Sequence, residues 1–178
     1  SFGGMVKIPV ETGEIEHIFG LIHDIHIDDD GLVRQLVTAE RVDEETIQDN
    51  RLNRNVPVEI SVIFIGYAKN NRIHHLLPPR PPLTLDAIYA CSAQELVAFT
   101  SAGRLGYLRH ILRADDLPTG ELLAAHLQMA AREQQQAGRP QWADAAVQEL
   151  IALLRDDYPA LMAVLSALAD TELYQKAS

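Results

Sequence analysis

One cysteine, Cys91, stands in a chain of 178 residues. No internal disulfide can form, and a lone thiol suits a reducing cytosol, so the chain reads as cytoplasmic. Cys91 itself reads as a small, partly buried apolar residue, because no base that would activate it is recognisable nearby. Aromatics are scarce at 6 % while apolar residues reach 47 %, so the core must be aliphatic. No apolar run is long enough to cross a bilayer, and no secretory signal is legible. Cations are outnumbered, 15 to 25, giving a formal net charge of −10. Cut after His110, the chain holds 15 acidic and 10 basic residues before that point and 10 and 5 after it. Neither part is basic enough to track phosphates, which argues against direct nucleic-acid binding. Phosphate-loop, dinucleotide and serine-elbow motifs (GxxxxGK followed by Ser or Thr, GxGxxG, GxSxG) are all missing. The expectation is therefore no catalytic residue, no metal and no cofactor.

What is present is an architecture that changes character midway. Residues 73–89 carry Pro78, Pro79, Pro81 and Pro82. Proline fixes φ, removes a donor and drives the preceding residue from the α region, so this stretch reads as an extended strap. Its PxxP spacing resembles a docking ligand, but its place between apolar segments favours a packed crossover. Ahead of it the pattern is β. Val6–Val10 forms a short strand, and Glu14–Ile27 alternates with period two, leaving one buried face that includes Phe19 and Leu21. Asp28-Asp29-Asp30-Gly31 reads as a turn, since no calcium ligands follow it. Leu32–Glu40 is ambiguous, and Asp43–Leu52 resembles a short acidic helix. Val56–Tyr67 is a second long strand, Asn70-Asn71 a hairpin turn, Arg72–Leu77 its partner and Leu85–Cys91 a last strand. Ser1-Phe2-Gly3-Gly4, ahead of Met5, reads as a cloning remnant.

Behind the strap the chain turns helical. Ser92-Ala93-Gln94-Glu95 is a capping box, with Gly103 as the stop of its helix. Leu105–Leu112 fits strand or helix. From Thr119 the spacing of Leu122, Leu123, His126, Leu127 and Ala130 predicts one helix. Ala143, Val147, Leu150, Ile151 and Leu154 predict a second. Leu161, Val164, Leu165 and Leu168 predict a third behind Asp157 and Pro159. The fold class expected is α+β, a small β-barrel of five to seven strands followed by a C-terminal helical bundle. The barrel, strap and short helix fall in 5–112 and the helical region in 116–172.

Two polar features invite chemistry. His23, with His74 or His75 from a neighbouring strand, could form a metal or small-molecule site in a barrel mouth, though no ligand spacing supports it. Arg51 and Arg54, with Lys69 and Arg72, form the best polar cluster for contacting an acidic partner, and Arg80 is a further interaction candidate. The apolar stripe of Leu161, Leu165 and Leu168 offers a surface for self-association. A single-strand nucleic-acid binder is the third alternative, weakened by the low aromatic content and the acidic charge.

Residues 15–112 resemble the HAS-barrel, the small β-barrel at the amino end of HerA-type DNA-translocating ATPases and of ATP synthase subunits. The resemblance lies in Phe19-Gly20-Leu21-Ile22-His23-Asp24-Ile25 and in the run from Val58 to Gly66-Tyr67. It extends to Leu77-Pro78-Pro79-Arg80-Pro81-Pro82 with Ile88-Tyr89 and Gln94-Glu95-Leu96. It implies an assembly role, self-association or docking on another protein such as an ATPase. It does not carry ATPase activity to this chain, which continues into helices from Thr119 to Asp170 and holds no nucleotide motif.

Overall fold

The computed structural model describes residues 1–10, 13–27, 58–82, 86–171 and 173. Five strands form an antiparallel sheet: β1 (Met5–Pro9), β2 (Ile15–Ile27), β3 (Val58–Lys69), β4 (Arg72–His74) and β5 (Tyr89–Ala90). Their order is β4-β3-β2-β1-β5. Met5 pairs with Leu21 and Pro9 with His17 across β1 and β2, while β5 adds to the free side of β1 at Val6 and Lys7. The sheet is not closed, so the expected barrel is not what the described residues form. The two edge strands, β4 and β5, are three and two residues long. Short edges of this kind offer little backbone to pair further.

The β3–β4 hairpin follows from its turn. Asn70 and Asn71 take φ of +51° and +56°, the pair of positive values that a two-residue turn with the right twist requires. Two glycines allow the backbone to close up on this side of the sheet. A Cβ on Gly20 would run into Val62 Cγ1, and one on Gly66 would lie 2.6 Å from the His74 carbonyl oxygen and 2.8 Å from the Phe99 ring.

Five helices follow: α1 (Ala93–Ser101), α2 (Leu108–Leu112), α3 (Thr119–Gln136), α4 (Trp142–Leu153) and α5 (Tyr158–Ala169). Ser92 and Glu95 close the capping box on α1, and the Asp157 side chain caps α5. α3 is the hub against which α1, α4 and α5 pack. The segment 105–112, open between strand and helix in the sequence, is a turn followed by α2. The α3 stripe Leu122, Leu123, His126, Leu127 and Ala130 is buried throughout. Ile151, expected on the inner stripe of α4, is exposed instead.

Ser1–His23 and Val62–Ser178 form one compact unit. Its main core joins Phe19, Leu21 and Ile65 of the sheet to Phe99, Leu108, Leu123 and Leu150 of the helices. The expected boundary between 112 and 116 thus falls inside a shared core. β2 is buried on both faces between Ile18 and Ile22, not on one, because Ile18 joins Ile8 and Ile15 in a second cluster. Ser1–Gly4 is part of the fold: Phe2 packs on the core, Gly3 N–H donates to the Ile22 carbonyl and Ile22 N–H to that of Gly4. The other unit is Asp24–Ser61, of which the described residues are the far ends of β2 and β3.

Candidate functional site

The chain concentrates its unusual geometry where α1 ends. In the last turn of α1, the Thr100 hydroxyl donates to the Leu96 carbonyl at 2.7 Å and the Ser101 hydroxyl to that of Val97 at 2.6 Å. Both side chains thereby turn their lone pairs outward as acceptors. The next residues run left-handed: Gly103, Arg104 and Leu105 have φ of +54°, +48° and +60°. Glycine adopts this region freely, but for Arg104 and Leu105 it costs roughly 1–2 kcal/mol each. Leu105 is held there by burial in the core. His75 leaves room only for glycine at 103, since a Cβ there would lie 2.9 Å from its Nδ1.

Helices α3 and α4 seal this turn. Gln134 of α3 is fully buried, and its Nε2 meets Thr100 Oγ1 at 2.8 Å, Ser101 Oγ at 2.9 Å and the Val97 carbonyl at 3.1 Å. Because the Val97 carbonyl only accepts, the amide is oriented with its nitrogen toward α1, which leaves Oε1 buried without a partner among the described residues. Trp142 of α4 donates its Nε1–H to the Thr100 carbonyl at 3.1 Å, and Arg139 donates to Ser101 Oγ. The result is a cavity of about 360 Å³. Ser101, Arg104, Leu105, Arg139, Gln141 and Trp142 are among its walls, and no carboxylate among the described residues lines it.

Behind this cavity runs a chain of aromatic and imidazole rings. His75, Phe99, Tyr107 and His126 pack with centroids 4.6–5.5 Å apart, edge to face where Tyr107 meets each histidine and tilted where Phe99 meets His75 and Tyr107. His75 Nε2–H donates to the Phe99 carbonyl at 3.0 Å, and burial holds its pKa below the usual range. His126 Nδ1–H donates to the Gly3 carbonyl at 3.3 Å, so its Nε2 accepts from the Tyr107 hydroxyl at 3.0 Å. That pattern fixes the neutral tautomer, and burial pulls the His126 pKa down to about 4. Burial likewise pushes the Tyr107 phenol well above its ordinary range.

The residues singled out from the sequence fall elsewhere. Arg51 and Arg54, like the Asp28–Gly31 turn and the segments 32–40 and 43–52, lie outside the described residues. Lys69 and Arg80 line one cavity of about 240 Å³ with Glu14 and Tyr67, and Lys69 is paired with Glu14 there. Arg72 is exposed just past the Asn turn. Leu168 belongs to the chain's own core, and Leu161 and Leu165 are half-buried against it. His74 stacks on Tyr67 while His75 turns into the helical core. Among the described residues no group of three His, Cys, Asp or Glu side chains is set to hold a metal. The proline strap is largely exposed, with Leu76 and Leu77 outward, where a packed crossover was expected. Cys91 is half-buried, and its pKa is pushed up to about 12 by burial, so the thiol stays protonated at neutral pH.

Sequence reasoning missed Arg104, Arg139 and Trp142. Gly103 was legible as a helix stop. Nothing local marks an arginine at positive φ, and the other walls of the cavity, Arg139 and Trp142, lie more than thirty residues further along the chain. No helix among the described residues is long and apolar enough to cross a membrane. No family model, no curated protein and no solved structure matches this chain.

Proposed function

We propose that this chain is a non-catalytic interaction module that acts by assembly, first with a second copy of itself. The observation that carries the reading is a run of exposed apolar side chains at the α4–α5 hairpin. Ile151, Leu153, Tyr158 and Met162 are all turned to solvent, Tyr158 at 68 % exposure. Large apolar side chains grouped in one short stretch are more than the scattered exposure of an ordinary surface. Burying a fully exposed side chain of this size contributes about 1.5–3 kcal/mol; at 41–68 % exposure each of these retains roughly half of that, so several together drive association.

The resemblance to the HAS-barrel supports the same reading. It extends it to a role in the cytoplasm as an accessory to a HerA-like ATPase supplied by another chain. Light scattering after size exclusion, across a range of concentrations, tests the core of the proposal. A dimer or larger species that Ile151→Glu or Met162→Glu converts to monomer supports it. A monomer at every concentration sinks self-assembly and sends the search to a different protein partner.

A further inference from the structure

We propose that the cavity between the end of α1 and the start of α4 binds a small organic anion, a carboxylate or phosphate carried on a flat apolar body. Two arginines line this cavity, and no carboxylate among the described residues lines it with them. Arg104 has no hydrogen bond or ion pair among the described residues, and Arg139 has only the Ser101 hydroxyl. This is notable in a chain of net charge −10 whose described lysines, Lys7 and Lys69, are each paired with a glutamate. A guanidinium fork matches the two oxygens of a carboxylate or phosphate and is the donor best suited to either.

The remaining walls fit the rest of such a ligand. Trp142 is fixed by its Nε1–H bond to Thr100, so its ring presents a rigid apolar surface beside Leu105 and Ala145. A flat ring stacks well on such a surface. The volume, about 360 Å³, lies in the range of small-molecule sites. Arg104 sits in this wall with left-handed backbone, a conformation that costs a non-glycine residue free energy and that clusters at binding sites. Gln134, fully buried with an unpartnered Oε1, braces the hydroxyls of Thr100 and Ser101 from behind.

The inference is independent of the assembly reading, because the cavity lies away from the exposed residues of the α4–α5 hairpin in sequence and uses none of them. Trp142 is the only tryptophan, so its fluorescence reports the site directly. Phenyl phosphate and phenylacetate are titrated into the full chain at low salt, with benzyl alcohol and inorganic phosphate as controls. The expected result is a saturable change for at least one of the two aryl anions, weakened about tenfold or more in Arg104→Gln and in Arg139→Gln. The tighter of the two assigns the head group. Circular dichroism checks that each variant is folded, and Arg104→Gln alters only an exposed side chain. No saturable change with either aryl anion overturns the proposal. So does a response that both variants leave unaltered, or one that benzyl alcohol or inorganic phosphate reproduces equally.

Discussion

At φ +48° the Cβ of Arg104 crowds its own carbonyl, a cost that glycine does not bear. Replacing Arg104 by glycine should therefore raise the melting temperature, by an amount corresponding to some tenths to about 1 kcal/mol once glycine's greater freedom in the unfolded chain is subtracted. Leu105, left-handed as well, cannot be treated the same way because its side chain is buried in the core. Thermal unfolding of Arg104→Gly decides the matter, and a lowered melting temperature would show that the guanidinium holds the turn in place. The second residue-scale prediction concerns His126. Its imidazole is neutral and buried, with a folded pKa near 4 against an ordinary 6.5. Between those values the unfolded chain binds a proton that the folded chain refuses, so stability rises with pH across this window and is fully present above about 6.5. His75, held low by burial, acts in the same direction. Denaturant unfolding at pH 7.5 and pH 5 should show a loss on the order of 2 kcal/mol, before the carboxylates of Glu14 and Glu95, both held low, begin to protonate. A stability that is flat from pH 7.5 to pH 5 would mean that the two imidazoles are not buried as described.

Among the elements, what the sequence discloses is what local chemistry determines. Period-two alternation marks β2 and β3, paired asparagines mark the hairpin, Ser92 and Glu95 mark the start of α1, and the 3.6-residue stripe marks α3. Ser92→Ala should accordingly cost about 1 kcal/mol, read from the denaturation midpoint, since it removes the oxygen that receives the Glu95 amide. Features that depend on a distant partner are not legible. β2 shows a single apolar face in its alternation, yet Ile18 is buried too, because Ile8 of β1 meets it on the second side. Residues 105–112 are apolar enough for either class, and packing against the helical core decides for helix. The cavity is the extreme case: its walls come from α1, the left-handed turn and α4, with no spacing to connect them. Gly66 shows the same dependence from the opposite direction. It looks like an ordinary strand glycine, but the Phe99 ring of α1 and the His74 carbonyl occupy the space a methyl would need. Gly66→Ala should destabilise by about 2 kcal/mol or more, since backbone and a core ring must both shift. A loss of only a few tenths would mean that α1 can slide on the sheet.

For the molecule as a whole, charge and apolar surface oppose each other in assembly. A formal charge of −10 makes two copies repel, while Ile151, Leu153, Tyr158 and Met162 gain by leaving water. Charges near these residues, Arg155, Asp156 and Asp157, are exposed, and Arg155 is already paired with Asp156. Such a pair at the surface contributes little and gives no strong cross-subunit attraction. The balance predicts an unusual salt response. At about 0.01 M ionic strength, repulsion acts over roughly 30 Å; at about 0.15 M it is confined to roughly 8 Å. The apolar contribution is barely altered over that range. Self-association should therefore strengthen as salt is added, with a dissociation constant several-fold lower at the higher ionic strength, measured by sedimentation equilibrium. An interface held by ion pairs would weaken instead. That result would shift the contact from the α4–α5 hairpin to surfaces where cations meet acids, with Arg72 and Arg80 the first residues to replace.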